Sequence, residues 1–430
     1  MEIKTGDYVS IKTKDSTYEG TLIARPELLE QDIEVLKLES GYNIGIKKNN
    51  IIEIKKIKGK KPKKEKKTPI KFKKGLPTIS ILSFGGTISS KVDYNTGGTY
   101  ADYTAEDFVE MLPELSEIAN IKAKKIMGKM SEDFTPDDWK DMAKSIKKEI
   151  EDGAHGVLVT QGTDTMHFSA SAMSFMLQDL PVPVIFTASQ RSIDRGSSDA
   201  FMNLICSVKA AASFNGAEVM TCMHGTSNDD YCLLIKGNKV RKMHTTRRDA
   251  FRPINEKPLA KVFSNGIIEI LNSNYKERNK NKNLSVKPYF SEKTALIQVY
   301  PGFDPKVIDY YIKNDYKGIV IGGTALGHVN SEGEKNVLPF IEKAINSGIL
   351  VVIASQTLYG STHKYVYSNL RKLSVALGCE FANDLLPETA YVKLGWALGT
   401  KKSPQEAKKL FRENVAGEFL DRSNHENFLY

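Results

Sequence analysis

The 430-residue chain predicts two α/β lobes built on parallel sheets, preceded by a small all-β unit of the SH3-like barrel type. Three observations carry that expectation. The first 57 residues hold short alternating strands, a lysine run follows, and from Leu76 onward apolar strands alternate with capped helices. The length alone argues for more than one domain, since a single core usually serves ~100–200 residues.

Within residues 1–57, the runs Tyr8-Val9-Ser10-Ile11-Lys12, Glu34-Val35-Leu36-Lys37-Leu38 and Asn43-Ile44-Gly45-Ile46-Lys47 alternate with period two and are separated by turn-forming pairs. Five strands fit the spacing. Residues 58–75 then read as a basic linker, because Lys58-Gly59-Lys60-Lys61-Pro62-Lys63-Lys64-Glu65-Lys66-Lys67 offers almost nothing apolar to bury. Residues 76–274 form the expected first lobe, 275–290 an Asn- and Lys-rich connector, and 291–430 the second lobe. Strands are expected at 182–187, 217–223, 295–299, 318–321 and 349–354. Helix starts are marked at Thr104-Ala105-Glu106-Asp107, Thr135-Pro136-Asp137-Asp138, Asp304-Pro305 and Ser403-Pro404-Gln405-Glu406.

The composition, 40% hydrophobic and 26% charged, is that of a soluble globular protein, and no apolar run approaches the ~20 residues that span a bilayer. The start lacks a secretory pattern, and Cys206, Cys222, Cys232 and Cys379 form no dense framework, so a cytoplasmic location with free thiols is expected. The net charge of +9 is local in origin. Between Lys55 and Lys74, twelve lysines face one acid, a balance of +11, which leaves −2 for the rest of the chain. The basic segment is a solvated spacer or a contact for RNA phosphates; the body is nearly neutral.

Two threonine motifs carry the chemistry. Gly85-Gly86-Thr87 ends the run Ile79-Ser80-Ile81-Leu82-Ser83-Phe84, and Gly162-Thr163-Asp164 ends Gly156-Val157-Leu158-Val159-Thr160-Gln161. The carboxyl ends of parallel strands are where ligands sit in open α/β sheets, so both motifs can face one pocket. A threonine hydroxyl needs a neighbour that takes its proton before it attacks anything. Lys242, in Val240-Arg241-Lys242-Met243-His244-Thr245-Thr246, is a candidate for that task if the fold carries it to Thr163. Asp164 precedes a helical pattern and reads equally as an N-cap or as a carboxylate for a ligand ammonium. The seven histidines show no metal-ligand spacing, and the chain holds no phosphate loop, dinucleotide fingerprint or serine elbow, so neither a metal nor a nucleotide is expected in it.

Phe84-Gly85-Gly86-Thr87-Ile88-Ser89, Gln161-Gly162-Thr163-Asp164-Thr165-Met166 and Val240-x-Lys242-x-x-Thr245-Thr246 together resemble the bacterial-type L-asparaginase/glutaminase family, in the same order and spacing. The resemblance implies an asparaginase-like body and a site made of Thr87, Thr163, Asp164 and Lys242. It further implies that Ser131 and Glu132, in Met130-Ser131-Glu132-Asp133, hold the substrate's α-carboxylate and α-amino groups. A loop tyrosine, Tyr100 or its rival Tyr94, would relay a proton. Which threonine attacks first stays open.

Two departures from a simple asparaginase stand out. Gln161 occupies a position where histidine is common, and Gly323-Thr324-Ala325-Leu326-Gly327-His328 replaces an asparagine-bearing loop. The extra β unit and the basic linker ahead of the asparaginase-like body make the chain resemble the family of D subunits of archaeal glutamyl-tRNA(Gln) amidotransferases. That family implies a homodimer whose copies hydrolyse glutamine and pass ammonia to a GatE-like kinase/transamidase subunit. The partner uses ATP and Mg to amidate Glu-tRNA(Gln), so tRNA(Gln) is met through the complex, with no membrane involved. The rival expectations are a stand-alone L-asparaginase with an accessory domain and a non-catalytic RNA-binding scaffold.

Overall fold

The computed structural model describes residues 3–24, 32–57, 72–92, 99–101, 112–193 and 195–430. The basic linker and the helix start at Thr104 lie outside the described residues. The five expected strands of the small unit are Tyr8–Thr13, Thr17–Ile23, Ile33–Leu38, Asn43–Lys47 and Ile51–Lys56, joined in one antiparallel sheet with the first strand between the second and the fifth. Period-two alternation puts Val9, Ile11, Leu22, Leu36 and Ile46 on the buried face, where they form their own small core.

The first lobe is an eight-stranded sheet. Five strands are parallel: Asn120–Lys129, Thr78–Gly85, Gly156–Thr160, Val184–Thr187 and Val219–His224, in that spatial order. The four inner ones carry near-continuous apolar runs because both of their faces are buried, whereas the edge strand Asn120–Lys129 is lysine-rich and largely exposed. Leu82, Phe84, Val157 and Val159 belong to one core, and Ile79, Ile81, Leu158 and Ile185 to the core on the other face. The sheet does not stay parallel. Cys232–Lys236, Ala260–Val262 and Ile268–Ile270 extend it in antiparallel fashion. The reason is connection length: the seven residues between His224 and Cys232 suit a reversal but cannot form a helical crossover.

The second lobe is a four-stranded parallel sheet, Thr294–Gln298, Gly318–Gly323, Leu350–Ser355 and Glu380–Phe381, paired in chain order. The proline-marked helix starts at 135 and 403 are real. Helix Pro136–Glu151 and helix Pro404–Arg412 each open with a reciprocal capping box, and after Asp304 the helix proper spans Val307–Lys313. The connector is less free than its composition suggests. Arg278 donates to the carbonyls of Phe214 and Ala211, acceptors that the end of helix Ala200–Ser213 leaves open, and to that of His155 just before strand Gly156–Thr160. Burial pushes its guanidinium down to about 10. Ser285–Val286 then pairs with Leu177–Gln178.

Helix Pro387–Thr400 of the second lobe packs against helix Met166–Met176 of the first, with Trp396 stacked on Phe175 at 5.8 Å between ring centroids. Beside this seam, Lys393 and Glu418 form an ion pair at 2.5 Å, both with fully buried side chains. Lys393 also donates to the Glu413 carbonyl and lies 4.0 Å from the centroid of the Phe419 ring. Burial lowers its ammonium pKa to about 8 although Glu418 opposes the shift. Removing one member leaves a buried charge without its partner, which costs about 3–5 kcal/mol. We therefore expect Lys393→Met to lower the denaturant midpoint sharply and Lys393→Met with Glu418→Gln to recover much of the loss. Equal midpoints for the single and double variants would show that the pair carries no coupling.

Candidate active site

The strands that end in the two threonine motifs are immediate parallel neighbours, with Ser83 opposite Thr160, so both motifs leave the sheet at the same edge. Gly85 and Gly86 have φ of +105° and +81°, a region that side chains disfavour. Space forbids a side chain as well. A Cβ on Gly86 would overlap the backbone N and Cα of Gly162, and a Cβ on Gly162 would press into the Ser131 side chain. Three segments thus stack closely at the strand ends. Half-buried Thr87 follows directly and begins the short turn Thr87–Ser89.

Lys242 reaches this edge from a separate hairpin, in which Val240–Lys242 pairs with Phe251–Pro253 and Lys242 lies opposite Phe251. Its Nζ donates to Thr163 Oγ1 at 2.8 Å and to Asp164 Oδ1 at 2.6 Å. The geometry satisfies the expectation of proximity. The lysine side chain is only 10% exposed whereas Asp164 is 63% exposed, so the pair runs from a covered amine to an open carboxylate. The Asp164 amide donates to Ser131 Oγ at 3.2 Å, and Thr165 Oγ1 donates to the Ser131 carbonyl at 2.6 Å. Asp164 is not a helix cap. The helix begins at Met166 with Thr165 in the cap position, because the Asp164 carboxylate is drawn instead to the lysine.

An open cleft of about 300 Å³ lies over this group, lined by Asp164, His167, Arg241, Lys242, Met243 and His244 among others. Ser131 is buried at the site and Glu132 is exposed beside it. The backbone of Tyr100 pairs with Lys91, its side chain is outside what is described, and Tyr94 lies outside the described residues. Gln161 is fully buried, and neither atom of its amide finds a partner among the described residues. The Gly323–His328 loop of the second lobe closes as a tight turn, with Thr324 bridged to His328 and Ala325 at φ +45° held through its carbonyl by Ser355.

Sequence reasoning missed the support behind the lysine. Arg241 holds Glu388 at 2.8 Å, and Glu388 comes from the first turn of helix Pro387–Thr400 in the other lobe. Burial raises the Glu388 pKa, with Arg241 opposing the rise. His167 lies 3.9 Å from the same carboxylate. Burial, reinforced by the charges of Arg241 and Lys242, drives its imidazole down to about 3. Nothing near Lys242 in the chain announces Glu388, which is 146 residues away. Among the described residues, no three His, Cys, Asp or Glu side chains gather as a metal ligand set, and no helix is long and apolar enough to cross a membrane.

Known proteins share both the domains and their order. The model for the N-terminal asparaginase domain matches residues 78–275, that for the glutaminase/asparaginase C-terminal domain residues 293–411, and that for the GatD N-terminal domain residues 3–57. The D subunit of the Pyrococcus furiosus glutamyl-tRNA(Gln) amidotransferase is 46% identical over 435 residues, covering 99% of this chain and 97% of the relative. The corresponding D subunit from Methanothermobacter thermautotrophicus is 44% identical over 425 residues, covering 98% and 95%. Among solved structures, the thermostable L-asparaginase from Thermococcus kodakarensis superposes with a TM-score of 0.70 at 28% identity, covering 80% of this chain and 99% of that one. L-asparaginase I from Vibrio cholerae gives the same TM-score at 26% identity, with the same coverage.

Two outcomes follow from the geometry. Gly86→Ala should abolish turnover in a chain that still folds, because the added methyl forces apart the loops that bear Thr87 and Thr163; activity within twofold of the parent would contradict the contact. His167 keeps a folded pKa far below its unfolded value of 6.5, so as pH falls from about 6.5 toward 3 the unfolded chain takes up a proton that the folded chain refuses. Stability should therefore drop across that window, and His167→Gln should flatten the drop. An imidazole NMR titration of His167 near pH 6.5 would refute the assignment.

Proposed function

Since the chain belongs to the family of glutamyl-tRNA(Gln) amidotransferase D subunits, we propose that its threonine site hydrolyses glutamine and hands the ammonia to a partner protein. The observation that carries this reading is the Lys242 amine, bonded at once to Thr163 and Asp164 beside the Gly86–Gly162 contact. Thr87 attacks the side-chain amide carbon of glutamine; its hydroxyl proton passes to the amide nitrogen, the C–N bond breaks to release ammonia, and an acyl ester forms on Thr87. Backbone N–H groups around Gly86 and Thr163 face the developing oxyanion, each such donor being worth about 3 kcal/mol in comparable acyl transfers. Water then attacks the ester, the Thr163–Lys242 pair takes up the proton it releases and passes it to Thr87 Oγ1 as the ester C–O bond breaks, and glutamate departs with the threonine hydroxyl restored.

Asp164 has two tasks in this scheme. Oδ1 steadies Lys242, and Oδ2, which has no hydrogen bond among the described residues, is open to the substrate α-ammonium. Ser131 sits behind the Asp164 amide and orients the carboxylate toward the cleft, with exposed Glu132 and the loop tyrosine, Tyr100 or Tyr94, completing the substrate contacts. ATP and Mg serve the partner, a GatE-like kinase/transamidase, which acts on the glutamate carried by tRNA(Gln), and two copies of this chain form the core of the complex. The small β unit favours this reading over a stand-alone L-asparaginase. The amidotransferase relatives cover it, whereas the solved L-asparaginases cover only 80% of the chain.

In the purified complex, Thr87→Ala, Thr163→Ala and Lys242→Ala should each cut glutamine-dependent amidation by more than about a hundredfold. External ammonia should still support amidation in all three. Retained glutaminase turnover in any one of them would remove that residue from the mechanism, and full-rate asparagine hydrolysis by the isolated chain would favour the L-asparaginase alternative.

A further inference from the structure

The segment that follows Lys242 is anchored from two directions. Residues 243–250 connect the paired strands Val240–Lys242 and Phe251–Pro253, and the loop is closed by the Met243 amide on the Ala250 carbonyl at 2.7 Å. Two nearby arginines share one carboxylate of the loop. Arg247 grips Asp249 through Nε and Nη2 at 2.8 and 2.9 Å, and Arg252 reaches the same carboxylate at 2.6 Å. Arg247 shapes the loop from within, while Arg252 also donates to the Gly225 carbonyl at 3.0 Å and so ties the returning strand to the sheet.

Arg248 fixes the loop itself. Its Nη1 donates to Asp229 Oδ1 at 3.0 Å and its Nη2 to the Ser197 carbonyl at 2.6 Å. Asp229 Oδ1 lies 3.0 Å from His224 Nε2, and Nδ1 of that fully buried histidine lies 2.6 Å from Asn203 Oδ1. One end of the arginine fork is therefore tied to the core of the sheet. The other end is tied to a residue in a strained conformation, since Ser197 has φ +58°, which costs about 1 kcal/mol or more and persists only where its surroundings hold it.

What holds Ser197 comes from the small N-terminal unit. The Tyr42 hydroxyl and Ser197 Oγ are 2.6 Å apart, and the Tyr42 ring lies so close over Gly196 that a Cβ there would overlap it. A continuous path of hydrogen bonds and backbone thus runs from Tyr42 through Ser197 to Arg248 and on to Lys242. We infer that Arg248 is a positioning residue through which the seating of the N-terminal unit sets the catalytic lysine. The inference rests on the glutaminase reading of the site and adds to it a reason for the small unit to touch the body where it does. Undocking Tyr42 frees Ser197, Arg248 loses one anchor, and the Lys242 amine drifts from Thr163. A displacement of about 1 Å at a reacting group lowers a rate by up to a hundredfold.

The test uses the full-length chain in its complex, with steady-state glutaminase kinetics and thermal unfolding measured on the same samples. Arg248→Ala should lower kcat on the order of tenfold while KM stays within about twofold. Arg248→Lys, which keeps the charge but one point of contact, should recover part of the loss, and Tyr42→Phe should lower kcat in the same direction. The double variant Tyr42→Phe with Arg248→Ala should be no slower than Arg248→Ala alone, as expected for two members of one path. If Arg248→Ala does not fold, Arg248→Lys and Tyr42→Phe carry the same comparison. An unchanged kcat in the folded Arg248 variants, or effects of Tyr42 and Arg248 that multiply independently, overturns the inference. Absence of glutamine hydrolysis by the parent complex would instead defeat the glutaminase reading itself, so the two failures are distinguishable.

Discussion

The candidate site depends on the contact between two glycines, Gly86 and Gly162, whose backbones meet at the ends of adjacent parallel strands. Parallel pairing delivers both chain segments to one edge in a fixed register, and the lack of side chains lets them meet there. Everything else at the site takes its place from that contact. Ser131 presses against Gly162 from the far side, Asp164 turns outward, and Lys242 arrives over Thr163 from a hairpin that shares none of these strands. The core beneath explains the rigidity of the arrangement. Leu82, Phe84, Val157 and Val159 anchor the two strands within a few residues of the reacting groups, on a face closed by helices.

Much of this was legible in the sequence, and the reasons can be named residue by residue. Apolar runs ending in Gly-Gly-Thr and Gly-Thr-Asp give strands with turns at their carboxyl ends, and the proline-marked capping boxes at Thr135 and Ser403 locate two helix starts to the residue. The candidacy of Thr163, Asp164 and Lys242 also came from sequence, through a resemblance of three ordered motifs. Their 2.6–2.8 Å contacts did not, because no local pattern states which hairpin lies over which strand. The antiparallel extension of the first sheet was hidden for a related reason. Cys232–Lys236 is as apolar as a parallel strand, and only the short return from His224 betrays its direction. Arg278 shows the opposite case. Its Asn- and Lys-rich neighbourhood reads as a loose connector, yet its guanidinium is spent on three backbone carbonyls.

Charge is distributed on the same principle of fixed supports around an exposed working group. Asp164 is open to solvent and to a ligand, whereas the groups that hold its partner are covered: Arg241 on buried Glu388, and neutral His167 beside them. A histidine kept neutral at this position adds no positive charge next to Lys242. The second lobe contributes to the site without lending it a reacting group. Glu388 reaches across the seam at the start of a helix whose far end buries Trp396 against Phe175.

That seam also governs the order in which the chain can mature as it is synthesised. Helix Met166–Met176 is buried on nearly every side, and part of its cover comes from Trp396 and from the Lys393–Glu418 pair, more than two hundred residues further along. While the ribosome is still making the second lobe, the apolar face around Phe175 has no lid. A nascent first lobe is thus complete in sequence long before it is complete in packing, and for that interval it presents a sticky surface of the kind that chaperones bind. The small β unit, whose five-residue core is its own, has no such wait.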